Sequence, residues 1–235
     1  LPVQDVGSIG QSETGKVIHE MNRHYVIGLD ISSKAVLVAG GGIVGERKVL
    51  GLLGRGAKVR VVSPTVTETL RALAASETIK WESREVAASD LDGMALAFAA
   101  TSCPDTNANL AGEARARGIP VNRADSPDAC DFIVPSTFSS GNVEVAVFSG
   151  GESPFLSKWL RRRVEQEVSQ DLAALGELMA RVRTELKQMP ISQQRRARLL
   201  NSVMESDVID VLKAQGKDPA FEHALELIRA ELQVP

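Results

Sequence analysis

The segment Ala35-Val36-Leu37-Val38-Ala39-Gly40-Gly41-Gly42-Ile43-Val44-Gly45-Glu46-Arg47-Lys48 places a short apolar strand before a glycine-spaced turn and the start of a helix. Gly40 allows a tight turn off the strand, Gly42 leaves room for a pyrophosphate, and Gly45 lets the next helix pack closely on the sheet. The free N–H groups that open such a helix, together with its dipole, favour phosphate charge. The context strengthens the pattern. Val49, Leu50, Leu52 and Leu53 mark a helix face, Gly54 and Gly56 can end it, and a second strand follows at Val59 to Val62. The spacing predicts a dinucleotide site, against the plainer alternative of a βα turn with no ligand.

The acidic residue common in such sites, about 20 residues beyond the glycines, is missing. The second strand ends Val61-Val62-Ser63-Pro64-Thr65, which offers only hydroxyls and backbone to a ribose. Arg60 would suit the extra phosphate of NADP but falls mid-strand. At this point NAD and NADP both stay open.

Three further segments carry chemistry. Ala99-Ala100-Thr101-Ser102-Cys103-Pro104-Asp105 is a strand end followed by a helix start, so Thr101 and Ser102 should open on the same edge as the glycine turn. Val121-Asn122-Arg123-Ala124-Asp125-Ser126-Pro127 ends another strand and places the Asp125 carboxylate near the expected nicotinamide end, where it can take or orient a proton. The alternative is an Asp that caps the turn before Pro127. Phe148-Ser149-Gly150-Gly151-Glu152-Ser153-Pro154 combines two glycines, hydroxyls and a helix N-terminus. It leads into Lys158-Trp159-Leu160-Arg161-Arg162-Arg163, so an anion cradle with cations a turn or two along competes with a simple solvated face. A second basic cluster stands at Arg195, Arg196 and Arg198.

The elements that must position these residues follow from periodicity. Residues 1 to 22 show no clear period and read as a flexible or expression-derived tail. Residues 23–127 alternate strands (35–39, 58–62, 79–81, 96–100, 119–122) with helices (43–53, 65–75, 105–117), the signature of a Rossmann-like parallel sheet covered on both faces. Over 128–152, Phe132-Ile133-Val134-Pro135 and Val143 to Phe148, separated by Ser139 to Asn142, predict a hairpin that extends the sheet or serves as a small dimerisation segment. From Ser153 to residue 235 the chain is helical, with Val168, Leu172, Leu175, Met179, Val182 and Leu186 in a four-three spacing. The expected fold class is therefore α/β, with a β connector and a helical C-terminal domain.

Composition narrows the function classes. A chain of 235 residues with 43% hydrophobic content can bury a proper core. No apolar run approaches the roughly 20 residues that span a bilayer, and no secretion signal is evident, so a cytoplasmic protein is expected. A net charge of -3 argues against a nucleic-acid partner. Cys103 and Cys130 have no metal-ligand spacing and are expected to pack in the interior, and three scattered histidines suggest no metal motif.

Taken together, the motifs from Val38 to Lys48 and Gly56 to Pro64, then Ala100-Thr101, Asn122 with Asp125, Phe132 to Pro135, and Ser149 to Pro154 resemble the precorrin-2 dehydrogenases of sirohaem synthesis. The resemblance covers residues 24 to 165, and the remaining helices fit more loosely. It implies NAD-dependent oxidation of precorrin-2 to sirohydrochlorin by a homodimer, with iron insertion in some members. It places the catalytic carboxylate at Asp125 and NAD contacts at Ile43, Val44, Pro64 and Thr65. Gly40, Gly42, Ser63, Thr101 and Asn122 join the cofactor set on their positions. The resemblance puts Ser149 in the tetrapyrrole site, where Gly150, Gly151, Ser153 and Lys158 are the further candidates. Gly45 replaces the Ala frequent in the family. Rival readings are an NAD-sensing module without catalysis and a dehydrogenase of another polycarboxylate.

Overall fold

Seven residues of β1 (Ala35–Gly41) form the centre of the first sheet, and all but Ala35 are buried. In the computed structural model, which describes residues 24–150 and 153–233, this strand pairs in parallel with β2 (Lys58–Val66) and β4 (Leu96–Ala99). The outer strands β3 (Lys80–Glu82) and β5 (Val121–Arg123) complete the order β3-β2-β1-β4-β5. Because β1 leads towards β2 and β3 on one side while β4 and β5 lie on the other, the winding reverses between β1 and β4. Such a switch point opens a crevice at the carboxyl ends of the strands.

Helices cover both faces, which is why β1 reads as a continuous apolar run rather than an alternation. Val36 and Val38 pack with Val59, Val61, Phe98 and with Val49 and Leu52 of α1 (Ile43–Leu53). Leu70 of α2 (Glu68–Ala75) completes that layer. Leu37 and Ala39 face the other way, onto Leu110, Ala111 and Ala114 of α3 (Pro104–Ala116).

A division between Val134 and Pro135 separates this unit from a second one. There β6 (Ser136–Ser140) and β7 (Val143–Val147) form a separate antiparallel pair and do not extend the parallel sheet. The first strand of the hairpin is thus 136–140 and not 132–135. The Gly141-Asn142 turn, with Gly141 at φ +58°, sets the pairing, and Phe138 supplies the buried side chain of β6. The hairpin lies on α4 (Pro154–Gln188), where Gly141 meets Ala173 and Gly176 meets Val143 too closely for a larger residue at either glycine.

The second half of α4 packs with α5 (Gln193–Glu205), α6 (Val208–Gln215) and α7 (Lys217–Gln233) around Leu178, Val182, Leu186, Leu199, Val203 and Ile228. The four-three stripe is corrected in part. Val182 and Leu186 are fully buried, Val168 is exposed, and Leu178, outside the stripe, is fully buried. Arg196 of the second basic cluster is structural. Its guanidinium donates to the carbonyls of Leu186 and Met189 at 3.0 and 3.2 Å and so closes the end of α4. The tail expected over residues 1–22 lies outside the described residues, and among those described no helix is long and apolar enough to cross a membrane.

Two glycines of α1 make opposite demands. A Cβ on Gly45 would stand 2.1 Å from the Gly40 carbonyl oxygen, whereas one on Gly51 would meet nothing within 4 Å. Gly45→Ala should destabilise the first unit by about 1–3 kcal/mol through overpacking. Gly51→Ala should stabilise it by about 0.5–1 kcal/mol by improving helix propensity. Urea midpoints followed by Trp81 fluorescence in a Trp159→Phe background measure both, and equal effects would refute the close-approach account.

Candidate active site

At the carboxyl ends of β1, β2 and β4 lies a cleft of about 550 Å³. The structure brings Gly40, Gly42, Ile43, Val44, Ser63, Pro64, Thr65 and Thr101 together along its walls. Gly40 has φ +107°, and a Cβ there would stand 2.2 Å from the Ala100 carbonyl oxygen, so the turn off β1 runs hard against the end of β4. Gly42 is the N-cap of α1, no side chain caps the helix, and the space around its Cα is open. The first N–H groups of α1 therefore have no side-chain acceptor and face a cleft built from backbone. These features fit a dinucleotide pyrophosphate.

At the tip of β2 the polar groups are already ordered. The Ser63 hydroxyl donates to the Thr65 carbonyl at 2.7 Å, and Ser63 itself is buried. Its carbonyl accepts from the Trp81 indole at 3.0 Å, while the Pro64 carbonyl accepts from Ser83 Oγ at 3.0 Å. The tip is thus fastened to the loop after β3, and that loop brings Glu85 and Val86 to the cleft wall.

Asn107, which sequence reasoning missed, fastens the other side. It sits on α3 at 1% exposure. Its Oδ1 accepts from the Thr101 N–H at 3.1 Å and lies 2.8 Å from Thr101 Oγ1, and its Nδ2 donates to the Thr101 carbonyl at 3.1 Å. The signal was available in the spacing: Asn107 shares the helix face of buried Leu110, Ala111 and Ala114, and a polar residue on such a face needs partners.

Beyond β5 the Asp125 carboxylate is gripped at 2.8 and 3.3 Å by the Arg123 guanidinium. The Arg123 hydrogen bonds hold the Asp125 carboxyl below the usual carboxylate range and push the guanidinium up. Asp125 is therefore an ionised, partly exposed carboxylate on a loop whose far end is also tied down. Cys130 Sγ accepts from the Arg123 N–H at 3.1 Å and lies 3.3 Å from the Arg123 carbonyl. Burial pushes the Cys130 thiol up, in keeping with the expected packing role. Cys103 departs from that role. It is exposed at the N-cap of α3, where Thr106 stabilises its thiolate and lowers its pKa.

Asn122 does not line the cleft. Its amide donates to the Phe132 carbonyl at 2.9 Å, so it braces the chain leaving β5. In the second unit the Ser149 hydroxyl donates to the Ser153 carbonyl at 2.9 Å and accepts from Ser157 Oγ at 2.7 Å. Ser153 Oγ caps α4 by accepting from the Leu156 N–H at 3.3 Å. Gly150 is at φ +70°, Lys158 is exposed one turn into the helix, and Gly151 lies outside the described residues. Arg161 of the cationic run is paired with Glu165. Of the histidines, His223 is paired with Asp207 at 2.6 Å.

Fold and cleft define a dinucleotide-binding α/β protein. Residues 27–136 match the family described as putative NAD(P)-binding. The siroheme synthase of Ectopseudomonas mendocina (strain ymp) is 38% identical over 197 residues, covering 83% of this chain and 42% of that protein. That of Nitrosomonas europaea is 36% identical over 198 residues, covering 84% and 42%. The chain thus spans about two fifths of the length of these relatives. A solved structure, SirC, a precorrin-2 dehydrogenase, shares the fold with a TM-score of 0.71 at 23% identity, covering 86% of this chain and all of that one. The family resemblance read from the motifs is borne out.

The Arg123 contact has a testable sign. Arg123→Leu should raise the Asp125 titration, followed by carboxyl NMR, towards the ordinary carboxylate range. Because the folded pKa of Asp125 is depressed, the pair stabilises the protein above the unfolded pKa and loses that effect as pH falls through the lowered value. The stability advantage of the parent over Arg123→Leu should fade in acid over that window. An unmoved Asp125 titration would show that Arg123 does not set it.

Proposed function

We propose that the chain catalyses the oxidation of precorrin-2 to sirohydrochlorin with NAD as hydride acceptor. One observation carries this reading: the open N-terminus of α1 in the dinucleotide cleft belongs to a chain that aligns along most of its length with siroheme synthases. The fold it shares with a precorrin-2 dehydrogenase supports the same substrate.

Bound at the cleft, the nicotinamide ring would take a hydride from the substrate. The residues of this chain do the rest. The α1 N-terminus holds the pyrophosphate, and Asn107 fixes the Thr101 backbone that forms one wall. The oxidation also releases a proton, and Asp125, kept ionised by Arg123, is the base that accepts it. Its grip on Arg123 keeps the carboxylate oriented until the substrate is in place. The Ser149, Ser153 and Ser157 hydroxyls, with Gly150, Gly151 and Lys158, are proposed to receive carboxylates of the ring, for which exposed Lys158 supplies a complementary charge. A homodimer acting in the cytoplasm completes the proposal. Some members of the family insert iron. Among the described residues no cluster of three or more His, Cys, Asp or Glu is placed to hold a metal ion.

Under anaerobic conditions the purified chain with precorrin-2 and NAD should produce NADH and sirohydrochlorin in equal amounts. Asp125→Ala should lower kcat by about 100-fold or more, the scale of a lost general base, while NAD binding is unchanged. Absence of NADH formation by the parent would overturn the assignment. Full turnover by Asp125→Ala would reduce Asp125 to a turn residue.

A further inference from the structure

Among the described residues, the walls of the dinucleotide cleft carry one charged side chain, Glu85, and no Lys or Arg. Glu85 comes from the loop between β3 and the 3₁₀ turn Ala88–Leu91, and that loop is laid against the tip of β2 by Ser83 on the Pro64 carbonyl, next to Trp81 of β3 on the Ser63 carbonyl. The neighbouring Arg84 anchors it from the other side, gripping Asp90 at 2.8 and 2.6 Å and pairing with Glu82. Asp90 is 3% exposed and also accepts from the Ala87 N–H at 2.8 Å. Both flanks of Glu85 are therefore fixed, while its own carboxylate has no ion-pair partner among the described residues.

The tip of β2 is where a dinucleotide fold presents an acid to the adenosine ribose, and this chain has none on the strand itself. We propose that Glu85 takes that place, accepting hydrogen bonds from the ribose hydroxyls and selecting NAD against NADP. The inference rests on the cleft being the dinucleotide site. An ionised carboxylate only accepts hydrogen bonds, so a free 2′-hydroxyl suits it. A 2′-phosphate removes that donor and sets like charges against each other in a cleft whose walls hold no cation. Of the cations nearby, Arg84 is committed to Asp90, and Arg60, 3.8 Å from Glu82 with its Nε buried and lacking a hydrogen-bond partner, is not on the cleft wall. Specificity here comes from the loop after β3, not from the strand that usually carries it.

Calorimetric titration of the whole chain with ADP-ribose and with its 2′-phosphorylated form isolates the adenosine half from the oxidation chemistry. The parent should favour ADP-ribose by about 10- to 100-fold, the scale of a hydrogen bond to a charged group. Glu85→Gln should narrow that ratio about tenfold, and Glu85→Arg should invert it, with circular dichroism unchanged in both. An unchanged ratio in Glu85→Gln, or a parent that favours the 2′-phosphate, would overturn the assignment of Glu85. If the parent binds neither ligand, the reading of the cleft itself falls and takes this inference with it. Failure of turnover with precorrin-2, by contrast, would leave the binding result standing.

Discussion

The approach of α1 to the end of β1 is the constraint on which the first unit depends. The helix starts so near the strand that the Gly45 Cα lies against the Gly40 carbonyl, with no room for a Cβ between them. Gly40 in turn has a positive φ and also abuts Ala100 at the end of β4, so a side chain is disfavoured there on both counts. Three backbone segments thus converge where side chains would normally separate them. The consequence is a concave wall of peptide groups at the switch point of the sheet, with the first N–H groups of α1 exposed on it. Everything else in the cleft is arranged around this wall.

Around the wall, polar side chains hold loops rather than reach outward. Asn107 orders the Thr101 backbone, Trp81 and Ser83 hold the β2 tip, and Cys130 and Asn122 brace the chain around Asp125. Each of these is at least partly buried or tied to a backbone group, so its loss would leave an unpaired polar partner. The loops of such a site gain rigidity from groups that never touch a ligand.

The sheet was legible in the sequence because apolar runs of the right length alternate with amphipathic helices, and the helix 43–53 agrees with its predicted limits. The glycine turn was legible for the same reason that it is conformationally strict: Gly40 and Gly45 fill positions no other residue fits without displacement. What escaped the sequence depended on contacts distant along the chain. Phe132 to Pro135 is as apolar as a strand, yet the pairing belongs to 136–140, because the Gly141-Asn142 turn sets the register. Leu178 lies outside the heptad stripe because α4 has different partners along its length, the hairpin at Ala173 and Gly176 and the helices further on. Glu85 could not be read as a cleft residue, since nothing local says that the loop after β3 folds over the β2 tip.

The two units distribute charge differently, and this has a physical logic. Among the described residues no basic side chain lines the cleft of the first unit, so the positive charge offered there is that of helix N–H groups fixed in the backbone. Such dipoles cost no side-chain ordering when a ligand binds and discriminate by geometry rather than by net charge. Lys158, Arg162 and Arg163 of the second unit are instead long, exposed cations on a helix surface. Flexible cations of that kind suit a ligand whose several carboxylates can be met in more than one way, whereas a single pyrophosphate at a fixed depth suits the rigid wall. A chain with a net charge of -3 thus carries two kinds of positive charge without a general basic excess, dipoles fixed in the backbone of the first unit and exposed side chains on α4 of the second.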